Sequence, residues 1–258
     1  MTPRHPTLRL ALFFTALGFV ALLALMPYLL TMMPTLLSTL ESKSHLPIPE
    51  LLLIQGVQTV LLIFGMTFLG LRMGARVGLH APLASHLINR TPLPTTHWQR
   101  ALLQAAVLGF GVGLCVLLMD SQIFQPMLPL PKTGAPLKME AWKGFLASFY
   151  GGLVEELEVR LFFMGLMAWL LSKVFRREPV PQGVFVAAVI ISSLAFAAGH
   201  IPAVSAVWDL TPPVVTRVML LNTVVGIPLG VLFWKRGLET AMVAHFCADL
   251  ALHVVGSV

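Results

Sequence analysis

Charged residues are scarce in this chain, and their scarcity excludes an ordinary soluble domain. Of its 258 residues, 11% are charged and 57% are hydrophobic, whereas soluble domains contain about 25% charged residues. The two cysteines, Cys115 and Cys247, lie in apolar runs, which argues against a disulfide framework or a cysteine-based metal site. The net charge is +6, but the basic residues are spread over several loops. This distribution favours contact with anionic lipid and argues against nucleic-acid binding.

Long apolar runs make up most of the chain. A helix needs about 20 residues to cross a hydrocarbon core of about 30 Å. Runs of about this length or longer cover residues 10–33, 50–71, 98–119, 141–171, 183–200, 214–234 and 238–255. The first run is too long for the core of a signal peptide and is expected to be retained as a helix. The sequence therefore predicts an all-α, polytopic integral membrane helical bundle with about seven transmembrane helices, eight being the alternative.

The loops predict how this bundle is divided and oriented. Lys and Arg are concentrated in the N-terminal segment and in the second, fourth and sixth loops, which predicts a cytoplasmic N-terminus and an outside C-terminus. The third loop, 120–140, contains four prolines and is expected to be irregular. We expect one transmembrane domain over 1–258, with three helices and their loops in 1–140 and four helices in 141–258.

The fourth run contains charge where lipid should exclude it. A charged side chain near the bilayer centre costs at least about 2.5 kcal/mol, so it is kept only where it faces a partner or a cavity. Glu156 and Arg160 lie one helical turn apart and can pair. Glu155 points about 100° away from Glu156 and is then free to face a polar chamber as a base that activates water. Glu158 could line the same chamber or lie towards the cytoplasmic end. The alternative is that these charges only hold helices together.

Two later apolar runs each contain a histidine that is separated by four residues from a second motif residue. Phe196 precedes His200 by four residues, and His245 precedes Asp249 by four, so each pair lies on one helical face. Asp249 could orient the His245 imidazole, or both could bind a carbonyl oxygen as it becomes negative, for which Asp249 would have to be protonated. Phe196 is interpreted as a packing residue and His253 as an interfacial one.

Depth estimates agree for two of these residues and fail for a third. At about 1.5 Å per residue, Glu155 and His245 reach a similar depth, nearer the cytoplasm. His200 would lie about 25 Å from the cytoplasmic side, counted from Gly183. Helix tilt, a later helix start or a break around Pro202 would reconcile the difference.

The three motifs, in this order, resemble those of the CPBP family of intramembrane proteases. The family includes CAAX proteases and bacteriocin-processing enzymes and is also called the Abi family. The motifs are Glu-Glu-x-x-x-Arg at 155–160, Phe-x-x-x-His at 196–200 and His-x-x-x-Asp at 245–249. Segments 78–83 and 230–245 also look like family sequence. The part of the chain that contains the motifs covers about residues 145–255.

The resemblance implies a role for each motif residue. Glu155 would activate the attacking water with help from His200, while His245 and Asp249 would stabilise the oxyanion. The supporting residues would be Glu156, Arg160 and Phe196. The chain departs from the family pattern with Val-Arg-Leu at 159–161, where Phe-Arg-Gly is common, and with Asp249 in place of the commoner asparagine. The second departure matters because an ionised aspartate cannot donate a hydrogen bond.

By this resemblance, the chain is expected to be an intramembrane endopeptidase. It would hydrolyse peptide bonds of membrane-associated substrates with a glutamate-activated water, at or near the cytoplasmic leaflet, and residues 141–258 would form a CPBP-like catalytic core. Its partners would be a membrane-associated peptide or protein substrate and membrane lipids, without nucleic acid. A basic, short-looped chain of this kind suggests a prokaryotic cell membrane.

Alternatives remain for the cofactor and for the function. No cofactor is expected, but Glu155, His200 and His245 could form the two-histidine, one-carboxylate set of a catalytic zinc site. The chain could instead be a catalytically inactive CPBP-like scaffold or immunity protein. A proton-coupled transporter is a further alternative, since buried Glu and His residues also relay protons. Against transport, the sequence lacks paired, broken inverted repeats.

Overall fold

The computed structural model describes residues 5–32, 41–42, 44–93, 97–132, 139–175 and 179–257. Within those residues the chain is mainly helical and contains no β-strand. The α-helices are α1 (Pro6–Met32), α2 (Ile48–Ala75), α3 (Pro82–Asn89), α4 (Trp98–Met119), α5 (Ala141–Tyr150), α6 (Gly165–Phe175), α7 (Gln182–Gly199), α8 (Ile201–Val207), α9 (Pro212–Arg236) and α10 (Leu238–Asp249). The π-helical segments are Asp120–Phe124, Gly151–Met164 and Leu250–Val254, and the 3₁₀ turns are Gln125–Met127 and Val255–Ser257.

The helices confirm the predicted all-α, polytopic bundle. Among the described residues, five helical segments are long and apolar enough to cross a membrane: Pro6–Met32, Ile48–Ala75, Trp98–Met127, Gln182–Val207 and Pro212–Arg236. The other two predicted runs are also helical, and each combines an α-helix with a π-helical segment. These multiple apolar helices make the chain an integral membrane protein. Its orientation and its division at residue 140 stay predictions.

The prediction that the third loop is entirely irregular is wrong. Residues 120–127 continue α4 as a π-helical turn and a 3₁₀ turn, and 128–132 follow without regular helix; residues 133–138 lie outside the described residues. Pro126 is accommodated because it occupies the start of the 3₁₀ turn, where a missing N–H breaks no helical hydrogen bond.

Helix α10, which contains His245 and Asp249, lies in the middle of the bundle. It packs against α4, against the π-helical segment Gly151–Met164 and against α9. Two glycines of α4 allow this close approach. A Cβ at Gly109 would overlap the Ala244 carbonyl oxygen, and one at Gly113 would lie 2.5 Å from the Ala248 carbonyl oxygen. Small residues at such positions are typical of helix contacts in lipid, where close packing drives association.

We expect Gly109→Ala to destabilise the protein, because its new Cβ must push α10 away from α4. Overpacking of this kind costs about 1–3 kcal/mol. Gly111→Ala is the matched control, since nothing lies within 4 Å of a Cβ at that position of the same helix, and alanine there should stabilise the helix by about 0.5–1 kcal/mol. Thermal unfolding in detergent compares the two variants. Equal melting temperatures would contradict the close α4–α10 contact.

Candidate active site

One cavity of about 510 Å³ is lined by four of the motif side chains: Glu155, His200, His245 and Asp249. They come from the π-helical segment Gly151–Met164, from the end of α7 and from α10. Phe196 also lines the cavity. The folded chain therefore brings together residues that are separated by up to about ninety positions in sequence.

A buried ion pair lies beside this cavity. Glu156 and Arg160 are both fully buried, and Arg160 Nη1 lies 3.4 Å from Glu156 Oε1. Arg160 Nη2 also donates to the Gly226 carbonyl oxygen of α9 at 3.2 Å, and the guanidinium carbon lies 4.6 Å from the centre of the Phe196 ring. The arginine thus connects the π-helical segment to α9 and α7.

His245 connects the buried pair to the cavity. Its Nδ1 lies 2.8 Å from Glu156 Oε1, and since a carboxylate only accepts, this nitrogen carries the hydrogen. Its Nε2 lies 3.7 Å from Glu155 Oε2 and 3.7 Å from Asp249 Oδ1. One imidazole therefore contacts the supporting carboxylate with one nitrogen and the carboxylates that line the cavity with the other.

The two adjacent glutamates occupy different environments. The Glu155 side chain is 25% exposed and lines the cavity, while the Glu156 side chain is 0% exposed. Both lie in a π-helical segment, a rare form of helix that is frequent at functional sites. Gly151 keeps the adjoining space open, because a Cβ there would overlap the Asp249 carboxylate and lie 3.3 Å from His245 Nε2.

His200 lies at a helix break. Helix α7 ends at Gly199, α8 begins at Ile201, and Pro202 occupies the first turn of α8. The His200 Nδ1–H donates to the Phe196 carbonyl oxygen at 2.8 Å, which leaves Nε2 as the acceptor of the ring. A helix break around Pro202, one of the three features considered, is therefore present, and it follows His200 in the chain.

Phe196 packs in the centre of the motif residues. Its ring meets the His200 ring edge-on at 4.7 Å between centroids and the His245 ring at 5.6 Å. The Arg160 guanidinium packs against the same ring. One cation and two imidazoles therefore contact the Phe196 ring.

The position of the cavity does not fit the predicted depth and the predicted orientation taken together. The cavity is lined by the last turns of α1 and α4 and the first turns of α9, at the end of the bundle remote from the start of α1. With the predicted cytoplasmic N-terminus this would be the outer side. Leu238, from which the depth of His245 is counted, is fully buried, and its N–H donates to the His80 carbonyl oxygen. Helix α10 therefore begins inside the bundle.

Other side chains that were not expected there also line the cavity, and they include Tyr28, Tyr150, His253, Asp120 and Arg217. His253 was interpreted as interfacial, although its position four residues after Asp249 could have signalled a shared helical face. The tyrosines offered no such signal, because each lies in an apolar run without a polar partner nearby in sequence. Glu158 is not among the residues that line the cavity.

The three residues of the alternative zinc site, Glu155, His200 and His245, all line the cavity. Among the described residues, no three His, Cys, Asp or Glu side chains are grouped as metal ligands. The Glu155, His200 and His245 set therefore shares the cavity without forming such a group.

The fold indicates an integral membrane protein, and part of the chain is similar to a family of CAAX proteases. Residues 137–251 match the family described as type II CAAX prenyl endopeptidase Rce1-like. This match covers all three motifs and confirms the resemblance to the CPBP proteases. Comparison with curated proteins and with solved structures finds no match.

We expect Arg160→Met to destabilise the fold strongly, because it leaves the buried Glu156 carboxylate without its cationic partner. Breaking a buried ion pair from one side costs about 3–5 kcal/mol. Arg72→Met is the control, since Arg72 is exposed and contacts the Phe68 ring at 5.5 Å; its loss should cost no more than about 1 kcal/mol. Thermal unfolding of both variants in the same detergent measures the difference. If the two lost the same stability, the buried pair would not have the structural role assigned to it.

Proposed function

We propose that this protein is an intramembrane endopeptidase in which the Glu155 carboxylate activates the attacking water. The observation that supports the proposal is that Glu155, His200, His245 and Asp249 line one cavity within a chain whose C-terminal half matches CAAX proteases. The substrate is a peptide or protein associated with the membrane. A cavity inside a helical bundle supports this choice, because it admits both a peptide segment and water.

In the proposed reaction, a water molecule lies between Glu155 and His200. Glu155 accepts one proton of the water, and the oxygen attacks the scissile carbonyl carbon. His200 Nε2 accepts a hydrogen bond from the same water, and the bond from its Nδ1 to the Phe196 carbonyl holds the ring in place. The tetrahedral intermediate then breaks its C–N bond, and the proton held by Glu155 passes to the leaving amine.

The negative oxygen of that intermediate is stabilised by His245. Its Nδ1–H is held by Glu156, so the imidazolium form presents Nε2–H to the cavity as the donor. Asp249, 3.7 Å from the same Nε2, stabilises the positive charge of the imidazolium. Preorganised donors of this kind are effective because they need no reorientation during the reaction.

Replacement of Glu155 by glutamine should remove activity and spare the fold. An amide cannot accept the proton of the water, so the cleavage rate should fall by at least about 100-fold. Glu158→Gln is the matched control, because Glu158 lies in the same π-helical segment but does not line the cavity; its effect should stay within about threefold, as usual for a polar change without a direct role. Mass spectrometry of products from a membrane-tethered peptide in detergent gives both rates.

Full activity of a folded Glu155→Gln protein would contradict the proposal. Absence of any cleavage by the wild-type protein would instead favour the inactive scaffold. Flux of protons in proteoliposomes, lost in Glu155→Gln, would favour the transporter.

We also propose that the reaction proceeds without a metal, because a carboxylate and an imidazole suffice to activate the water. Protein treated with a strong chelator, and shown by elemental analysis to contain less than about one metal ion per ten molecules, should keep its rate within about twofold. A chelated protein that loses activity and regains it with Zn²⁺ would show instead that a bound ion activates the water.

A further inference from the structure

His253 lies close to Asp249 on the wall of the same cavity. Its Nε2 is 4.0 Å from Asp249 Oδ1, and the two side chains are 39% and 12% exposed, respectively. Its ring meets the Tyr28 ring edge-on, with 5.9 Å between centroids. Asp249 is thus flanked by two imidazoles, His245 on one side and His253 on the other.

The backbone fixes the position of His253. A Cβ at Gly144 would overlap the His253 carbonyl oxygen, so α5 and the π-helical turn Leu250–Val254 are in close contact. In a regular α-helix, His253 would be rotated by about 80° from His245. The π-helical turn takes more residues per turn and reduces this rotation, which keeps His245, Asp249 and His253 along one face.

The carboxylates around the site outnumber the positive charges that Arg160 and His245 can supply. Glu155, Glu156 and Asp249 are three carboxylates around His245, and Arg160 is paired with Glu156. Buried charge is tolerated where each charge has a partner. His245 supplies one further positive charge when it is protonated, and His253 is placed to supply another.

We propose that His253 is a positioning residue of this site that acts through Asp249. Its Nε2 lies 4.0 Å from Asp249 Oδ1, so as an imidazolium it offsets the charge of that carboxylate. Asp249 then presents less net negative charge to the His245 Nε2–H, 3.7 Å away, which stays available to the oxyanion. The inference rests on the proposed function. It explains how this chain can use an aspartate at position 249, where the family that its motifs resemble more commonly has asparagine, a neutral donor.

A double-mutant cycle tests the inference. In the wild-type background, His253→Phe keeps a ring against Tyr28 but removes the donor, and kcat should fall about tenfold with KM unchanged, as expected for an interaction made in the transition state. In the Asp249→Asn background the same change should alter kcat by less than about twofold, because the amide needs no counter-ion. In the wild-type background, His253→Gln keeps an N–H without the charge, so its kcat should lie between those of the wild-type protein and His253→Phe.

The controls separate this inference from the proposed function. His86→Phe replaces an exposed histidine outside the cavity and should leave kcat as it is. Equal losses from His253→Phe in both backgrounds would refute the role of His253 and leave the endopeptidase standing. Cleavage that does not depend on Glu155 would refute the proposed function itself.

A second measurement does not depend on activity and applies even if Asp249→Asn is slow. In protein labelled with ¹³C at histidine Cε1, the His253 resonance should move when Asp249 becomes asparagine. It should not move in His86→Phe. An unmoved His253 resonance in a folded Asp249→Asn protein would overturn the inference.

Discussion

The buried Glu156 carboxylate is the group on which the site depends. It is fully buried, and its Oε1 lies 3.4 Å from Arg160 Nη1 and 2.8 Å from His245 Nδ1. Removing a carboxylate from water costs several kcal/mol, which is recovered only with well-placed partners. Those partners lie on two elements, the π-helical segment and α10, so the carboxylate fixes their register. It also fixes the rotation of the His245 ring, and this rotation directs Nε2 to the cavity.

Close approach of backbones provides the second constraint. A Cβ at Gly151 would overlap the Asp249 carboxylate, one at Gly152 would lie 2.9 Å from Phe246 Cβ, and one at Gly226 would lie 2.9 Å from Ser193 Cβ. In lipid there is little hydrophobic gain when helices associate, so packing of this kind and polar contacts hold them together. The glycines therefore let Glu156 reach its partners, and the ion pair keeps the glycine contacts closed.

Much of this fold could be predicted because apolar runs report lipid-facing helices directly. The separation of Glu156, paired with Arg160, from Glu155, facing a cavity, follows from helical periodicity. The π-helical segments could not be predicted, since a wider turn depends on contacts with other helices. The burial of the start of α10 at Leu238 depends in the same way on other helices, and no local pattern reveals it. His253 was missed because histidines near a chain end are ordinarily exposed.

Adjacent carboxylates with different partners are what allow a chemical site in a structure that tolerates little charge. Glu156 is neutralised by contact, whereas Glu155 keeps access to the cavity and therefore to water. Had the two roles been placed on distant residues, each would have needed its own compensation in lipid. Here one imidazole serves both, since His245 contacts Glu156 through Nδ1 and Glu155 through Nε2. The charges that stabilise the bundle thus also orient the groups that face the substrate. A change in either set should therefore alter the position of the other.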